Sequence, residues 1–97
     1  MNLTAASTTD TVKSILDELR SRHSLDGGTP LSLNALANMT GVDRAYLWRI
    51  YNGHRRMSAS QAGLIAHALC SSKSEYEALC ARFLAARDAS IIPPYQG

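Results

Sequence analysis

The residues with the clearest chemical potential are four arginines that lie within 14 residues containing a single acid. The arginines are Arg44, Arg49, Arg55 and Arg56, and the acid is Asp43. This segment carries a net charge of +3, whereas the rest of the chain has six basic and seven acidic residues and sums to −1. A guanidinium group is a planar, permanently charged donor that binds phosphate or the acceptor edge of guanine through paired hydrogen bonds. We therefore expect this segment to bind an anionic ligand, and phosphate in particular.

Two short helices joined by a tight turn are predicted to position these arginines. The first is expected over 33–39, with Ser32 as its N-cap, and the second over 44–51, with Asp43 as its N-cap rather than as a base acceptor. Between them, Gly41 is the residue best able to take the positive φ that follows a helix end. This layout is typical of a helix-turn-helix, whose second helix enters the major groove of DNA.

The apolar residues of this pair are expected to face a core formed by the other helices. Ala37 is small enough for the two helices to approach closely, and Val42, Leu47 and Ile50 are predicted to be buried. The remaining face of the second helix then has no core to fill and can contact a ligand.

Three further helices complete the predicted fold, which is an all-α, compact, five-helix domain. Helix 1 is expected over 9–22, capped by Thr8 or Thr9, with its apolar residues at helical spacing. Helix 4 is expected to follow an N-cap at Ser58 or Ser60. Its predicted buried stripe consists of Leu64, Ile65, Ala68 and Leu69.

Helix 5 is predicted to begin at a capping box formed by Ser74 and Glu77. One side of this helix is expected to carry Tyr76, Leu79, Cys80, Phe83 and Leu84. The chain is accordingly divided into a flexible N-terminus over 1–8, the helical domain over 9–87 and a C-terminal tail over 88–97.

Composition and motifs argue against several other classes of protein. A hydrophobic fraction of 45% is enough for a packed core, and no apolar run reaches the length of a membrane span. The first residues show no basic segment followed by an apolar block, so no secretion signal is expected. Cys70 and Cys80 are expected to be reduced thiols, with a disulfide or redox switch as the alternative. No metal site, cofactor site or catalytic set is expected, because His23, His54 and His67 lie in separate segments without a suitably spaced partner.

The segment 32–69 resembles the lambda-repressor-like helix-turn-helix family, which includes Cro and C1-type repressors. The matching motifs are Leu36-Ala37, Gly41-Val42, Ile50-Tyr51-Asn52-Gly53, His54-Arg55-Arg56 and Ala66-His67-Ala68-Leu69. Two positions differ from the family pattern: Leu33 stands where a glutamine is frequent, and Tyr51 where many members have a glutamate. The contact made by that glutamine is therefore not expected here, and Tyr51 is expected either to pack against the core or to lie near the DNA backbone.

The spacing and the resemblance together nominate residues for two kinds of DNA contact. The expected base-contacting residues are Arg44, Ala45, Trp48 and Arg49. The expected phosphate-binding residues are Ser32, Tyr46, Asn52, His54, Arg55 and Arg56, with the role of Asn52 implied by the resemblance. Alternatives remain open for several of them. Arg44 and Arg49 can bind phosphate instead of a base, and Ala45 can be a simple helix former. Trp48 can stack on Arg44 or pack against helix 2 or a partner subunit, and Tyr46 can have a packing role instead of binding phosphate.

The resemblance also implies a homodimer that places two recognition helices on a near-palindromic operator. The candidate dimer interface is Phe83, Leu84, Ile91 and Ile92, with closure of the core as the alternative role. The expected function is a transcription regulator, a repressor of phage or mobile-element type, in the bacterial cytoplasm and associated with the nucleoid. The competing hypothesis is an antitoxin or adaptor that uses the same fold mainly to bind a regulatory protein partner.

Overall fold

Regular structure in this computed structural model is entirely helical across the residues it describes, which are 10–88 and residue 91. The five helices are α1 (Val12–Arg22), α2 (Leu33–Thr40), α3 (Arg44–Tyr51), α4 (Ala59–Leu69) and α5 (Lys73–Ala86). The all-α class is confirmed, and the bounds predicted for the second and third helices agree with α2 and α3 to within one residue. The segment 1–8, predicted to be flexible, lies outside the described residues.

The start of α1 differs from the prediction because a different threonine caps it. Thr11, rather than Thr8 or Thr9, is the N-cap, and the helix begins at Val12. The Thr11 hydroxyl accepts a hydrogen bond from the backbone N–H of Ser14 at 3.0 Å, and the Thr11 N–H donates to the Ser14 hydroxyl at 2.9 Å. This reciprocal pair needs a polar side chain three residues after the cap, and Ser14 supplies it.

The start of α5 also differs, because the predicted capping box at Ser74 and Glu77 is wrong. Ser72 is the N-cap, and its hydroxyl accepts a hydrogen bond from the backbone N–H of Glu75 at 3.2 Å. The Glu75 carboxylate in turn accepts from the backbone N–H of Ser71 at 3.1 Å. The same serine-to-glutamate spacing therefore operates two residues earlier along the chain, where it satisfies the N–H group of Glu75 in the first turn and that of Ser71 before the cap.

The junction between α2 and α3 has the predicted geometry. The Ser32 hydroxyl caps α2 by accepting from the N–H of Ala35 at 3.0 Å, and the Asp43 carboxylate caps α3 by accepting from the N–H of Tyr46 at 3.0 Å. Gly41 follows α2 with φ of +77°, a conformation that side chains with a Cβ rarely adopt. The Thr40 hydroxyl, buried at this turn, donates to the Leu36 carbonyl at 2.9 Å. The positive φ of Gly41 and the Asp43 cap thus fix the direction of α3 relative to α2.

The core contains the residues predicted from α2 and α3, since Ala37, Val42, Leu47 and Ile50 are all buried. The stripe predicted for α4 is only partly correct. Ile65 is buried, but Leu64 and Ala68 are exposed and Leu69 is half-buried. In their place α4 buries Ala62 and Ala66, whose small side chains allow close contact with the neighbouring helices α2 and α5.

Phe83 is fully buried on α5, together with Leu79 and Ala86. Its assignment to a dimer interface is therefore wrong, and the alternative that it closes the core is confirmed. Leu84, predicted on the same side as Phe83, is instead exposed, because it lies one residue further round the helix. Ile91 is half-buried, and Ile92 lies outside the described residues.

Polar contacts fasten α1 to the end of α3. Tyr51 donates its hydroxyl proton to the Asp17 carboxylate at 2.7 Å, and the Arg20 guanidinium donates to the same carboxylate at 2.7 Å. Arg20 also donates to the Leu31 carbonyl, in the segment that leads into α2. Burial and then the hydrogen bond to Asp17 raise the pKa of the Tyr51 hydroxyl. Tyr51 therefore packs beside the core as a neutral donor, which is one of the two roles predicted for it.

Candidate nucleic-acid interface

The outward face of α3 gathers the predicted base-contacting residues on one exposed surface. These residues are Arg44, Ala45, Trp48 and Arg49, and each is exposed. Leu47 and Ile50 on the opposite face are fully buried, so the core fixes which face α3 presents. Together with Asn34 of α2, the four residues line one open hollow of about 430 Å³.

Trp48 is the most exposed aromatic side chain that the described residues place on this surface, with 55% of its area accessible. An indole ring of this size is usually covered, because leaving its apolar area in water gives up favourable burial. Asn34 of α2 borders the same hollow as this ring. The ring is available to a ligand or to a partner subunit.

Asn34 is a candidate that the sequence analysis missed. It lies in the first turn of α2, directly after Leu33, and its side chain reaches the hollow formed by α3. A carboxamide can pair with adenine or donate to a phosphate. The only signal in the sequence was a polar residue in the first turn of a predicted helix. The angle between α2 and α3 is what brings this residue to the hollow.

The loop after α3 carries three adjacent residues with basic side chains, His54, Arg55 and Arg56, which we call the basic loop. All three are exposed. The Arg55 guanidinium lies over the ring of Tyr46, 5.3 Å from its centroid, which is within cation–π distance. The Arg56 Nε lies 2.7 Å from an Asp88 carboxylate oxygen in an ion pair that is open to solvent on both sides. Arg55 makes no ion pair within 10–88 and residue 91, so its charge is available for a phosphate.

Tyr46 connects α3 with the start of α4. Its hydroxyl oxygen accepts a hydrogen bond from the backbone N–H of Ser58 at 3.0 Å, and Ser58 is the N-cap of α4. The hydroxyl proton has no acceptor among the described residues, so it can still be donated to a phosphate oxygen. Tyr46 thus has two compatible roles, since it anchors the far end of the basic loop and presents a donor beside Arg55.

Asn52 has a structural role that the sequence analysis did not anticipate. Its side-chain amide donates to the Trp48 carbonyl at 2.8 Å, and its backbone N–H donates to the same carbonyl at 3.1 Å. The backbone N–H groups of Gly53 and His54 likewise donate to carbonyls of α3, those of Ile50 and Arg49. These bonds close the C-terminus of α3, so a phosphate can use only the second amide proton of Asn52 and not these backbone donors.

Ser32 lies at the other end of the unit and is exposed. Its oxygen accepts from the N–H of Ala35, which leaves its hydroxyl proton for a ligand. The free N–H groups of the first turn of α2 add a partial positive charge beside it. Ser32 and the basic loop therefore lie before and after the α2–turn–α3 unit along the chain, and both present donors suited to anionic oxygens.

The rest of the described chain offers little chemistry of another kind. Within 10–88 and residue 91, no group of three His, Cys, Asp or Glu side chains is placed to hold a metal ion. Cys70 and Cys80 are free, half-buried thiols, and burial raises the pKa of Cys70. No helix in the described part of the chain is long and apolar enough to cross a membrane.

Comparisons with family models, with curated proteins and with solved structures found no match to this chain.

Proposed function

We propose that this chain is a sequence-specific double-stranded DNA-binding transcription regulator, and that α3 is its recognition helix. The observation that carries the proposal is the exposed face of α3, where Arg44 and Arg49 border a hollow lined by Ala45 and Trp48. No other cluster of basic residues in the sequence approaches the charge of 43–56. A short helix with arginines on its outer face, held by a glycine turn against a second helix, has the features by which proteins insert a helix into the major groove.

Different parts of this surface would make different contacts. Arg44 lies in the first turn of α3, which reaches deepest into the groove, and it can donate two hydrogen bonds to guanine. Arg49 lies one turn after Ala45 on the same face and can contact a base or a phosphate. Tyr46 and Arg55 lie beside this face and would bind the phosphate backbone, which fixes the position of the protein without determining sequence.

We further propose that the regulator is a repressor of phage or mobile-element type that binds a near-palindromic operator as a dimer. An eight-residue helix carries only a few side chains that can contact bases, which favours a second copy on an adjacent half-site. Leu84 and Ile91 remain the candidate dimer residues, because Leu84 is exposed and Ile91 follows α5.

Fluorescence anisotropy with a labelled random-sequence duplex tests the DNA proposal. We expect salt-dependent binding, and we expect Arg55→Gln to reduce the magnitude of the slope of log K against log salt by about 1. Arg22→Gln is the matched control, since it removes an exposed arginine from α1, where Arg22 pairs with Glu18. It should leave affinity and slope nearly unchanged.

Two outcomes would count against the proposal. If Arg22→Gln weakened binding as much as Arg55→Gln, the attraction would be a property of net charge and not of the α3 surface. If the wild-type chain bound no duplex even at low salt, DNA binding would be excluded and the antitoxin or adaptor hypothesis would be favoured.

A further inference from the structure

We infer that the hollow on α3 selects a pyrimidine carrying a 5-methyl group beside a guanine, which in unmodified DNA is a thymine. This inference rests on the proposed function, because it names the base chemistry that the same surface recognises. It also assigns a role to the apolar groups of Trp48 and Ala45, which cannot form hydrogen bonds with a base.

Apolar and cationic side chains of α3 line the same hollow. Arg44 and Trp48 are four residues apart and so are neighbours on the helix surface, as are Ala45 and Arg49. Ala45 and Trp48, three residues apart, bring a methyl group and an indole ring to the same face. All four side chains line the hollow, so a base edge that meets an arginine there also meets apolar surface.

The major groove presents few features that fit such a surface. Guanine offers two acceptors, which match a guanidinium group, and adenine and cytosine offer polar groups with no projecting apolar group. The 5-methyl group of thymine is the apolar feature of unmodified bases in this groove. A 5-methyl group on cytosine occupies the same position on the pyrimidine ring, so methylated cytosine should substitute for thymine in apolar contact.

The exposure of Trp48 supports this assignment over a purely electrostatic surface. Contacts to phosphate alone need no apolar side chain, yet an indole with 55% of its area accessible lines the same hollow as the two arginines. The hollow of about 430 Å³ is open to solvent, so water molecules contact the apolar atoms that line it in the free protein. Displacing these waters from the indole and the Ala45 methyl group by the 5-methyl group of a pyrimidine is favourable. A pyrimidine with only hydrogen at C5 buries less apolar area at the same place, so its binding gains less free energy.

The test compares random duplex libraries that differ only in the methyl group. One library is synthesised with thymidine, a second with deoxyuridine in place of every thymidine, and a third with deoxyuridine and 5-methyldeoxycytidine in place of deoxycytidine. We expect selection on the first library to enrich thymine next to guanine, and selection on the third to enrich 5-methylcytosine at that position. On the best thymidine sequence, replacing that single thymine by uracil should weaken binding about fourfold, which corresponds to the loss of one buried methyl group.

Trp48→Ala provides the matched variant, because its side chain is exposed and its removal leaves the core residues in place. The variant should still bind duplex through its arginines, but its preference for thymine over uracil should fall towards one. A uracil substitution at a position outside the enriched motif serves as the control on the DNA and should change nothing.

The outcomes separate this inference from the proposed function. Equal affinity for the thymine and uracil sites, with salt-dependent duplex binding intact, would overturn the methyl-group inference and leave DNA binding standing. A thymine preference that persists unchanged in Trp48→Ala would overturn the role assigned to the hollow. Failure to bind any of the three libraries at low salt would remove the proposed function and, with it, this inference.

Discussion

The ion pair between Arg56 and Asp88 should lower the affinity of the basic loop for the phosphates of DNA. The Arg56 Nε and an Asp88 carboxylate oxygen are 2.7 Å apart, and the two side chains are 54% and 76% exposed. A phosphate that binds Arg56 through this group must displace the carboxylate. The substitution Asp88→Asn should therefore release Arg56 and raise the affinity for DNA.

The exposure of the pair sets the size of the effect. Ion pairs as accessible as this one contribute roughly 0.2–1 kcal/mol, which corresponds to an increase in affinity of about 1.4- to 5-fold. One additional phosphate contact should also steepen the slope of log K against log salt by about 0.9. The same substitution should change the free energy of unfolding by less than about 1 kcal/mol, because the pair is exposed.

Anisotropy on a random-sequence duplex measures both quantities, and a double-mutant cycle identifies their source. In an Arg56→Gln background, Asp88→Asn should have almost no effect, since the group it releases is missing. Glu77→Gln controls for net charge, because Glu77 is an exposed acid on α5 without an ion pair in the described part of the chain. The reasoning is refuted if Glu77→Gln raises affinity as much as Asp88→Asn, or if the effects of the Arg56 and Asp88 substitutions are additive.

Three further predictions concern the scaffold that presents α3, and chemical denaturation measures each of them. Leu47→Ala should lower the free energy of unfolding by about 2–5 kcal/mol, because Leu47 is fully buried. Arg49→Ala, on the exposed face of α3, should change it by less than about 0.5 kcal/mol. Similar losses in the two variants would contradict the assignment of Leu47 to the buried face and Arg49 to the exposed face. Gly41→Ala should cost about 1–2 kcal/mol because φ is +77°, and Gly41→Asn should cost less; equal stability of the alanine variant would argue against this turn. Hydrogen bonds from Arg82 lower the pKa of Glu18 below its ordinary value of 4.5. The ionised Glu18 therefore stabilises the folded state above pH 4.5, and this stabilisation is lost as the pH falls through the lowered pKa. Glu18→Gln should therefore reduce the decrease in the free energy of unfolding that occurs at acidic pH. An unchanged decrease would show that the ion pair of Glu18 with Arg82 does not cause it.

The α2–turn–α3 unit was predictable because each of its boundaries is determined by local chemistry. Ser32 and Asp43 are the polar residues directly before their helices, and Gly41 is the residue in the turn that takes positive φ without strain. The caps of α1 and α5 were not predictable to the residue. Several threonines or serines lie near each start, and the choice depends on which hydroxyl has a partner three residues on, such as Ser14 for Thr11.

Long-range contacts account for most of what the sequence could not reveal. The ion pair of Arg56 with Asp88 and the hydrogen bond of Tyr51 to Asp17 join residues that are distant in sequence and have no shared motif. The buried stripe of α4 was misplaced because an apolar pattern does not distinguish a face that packs through leucines from one that packs through alanines, as α4 does at Ala62. The exposed face of α3 was predictable because the burial of Leu47 leaves one orientation for the helix.

Recognition of DNA bases by α3 can be measured by selection from a random double-stranded DNA library, with the wild-type chain and an Arg44→Ala variant compared at two salt concentrations. We expect an enriched sequence for the wild type, with two inverted half-sites whose centres are about 10 base pairs apart. The Arg44→Ala variant should retain salt-dependent binding but lose the preference for guanine at one position in each half-site. Enrichment of no sequence by the wild-type chain at either salt concentration would contradict the claim that α3 recognises DNA bases.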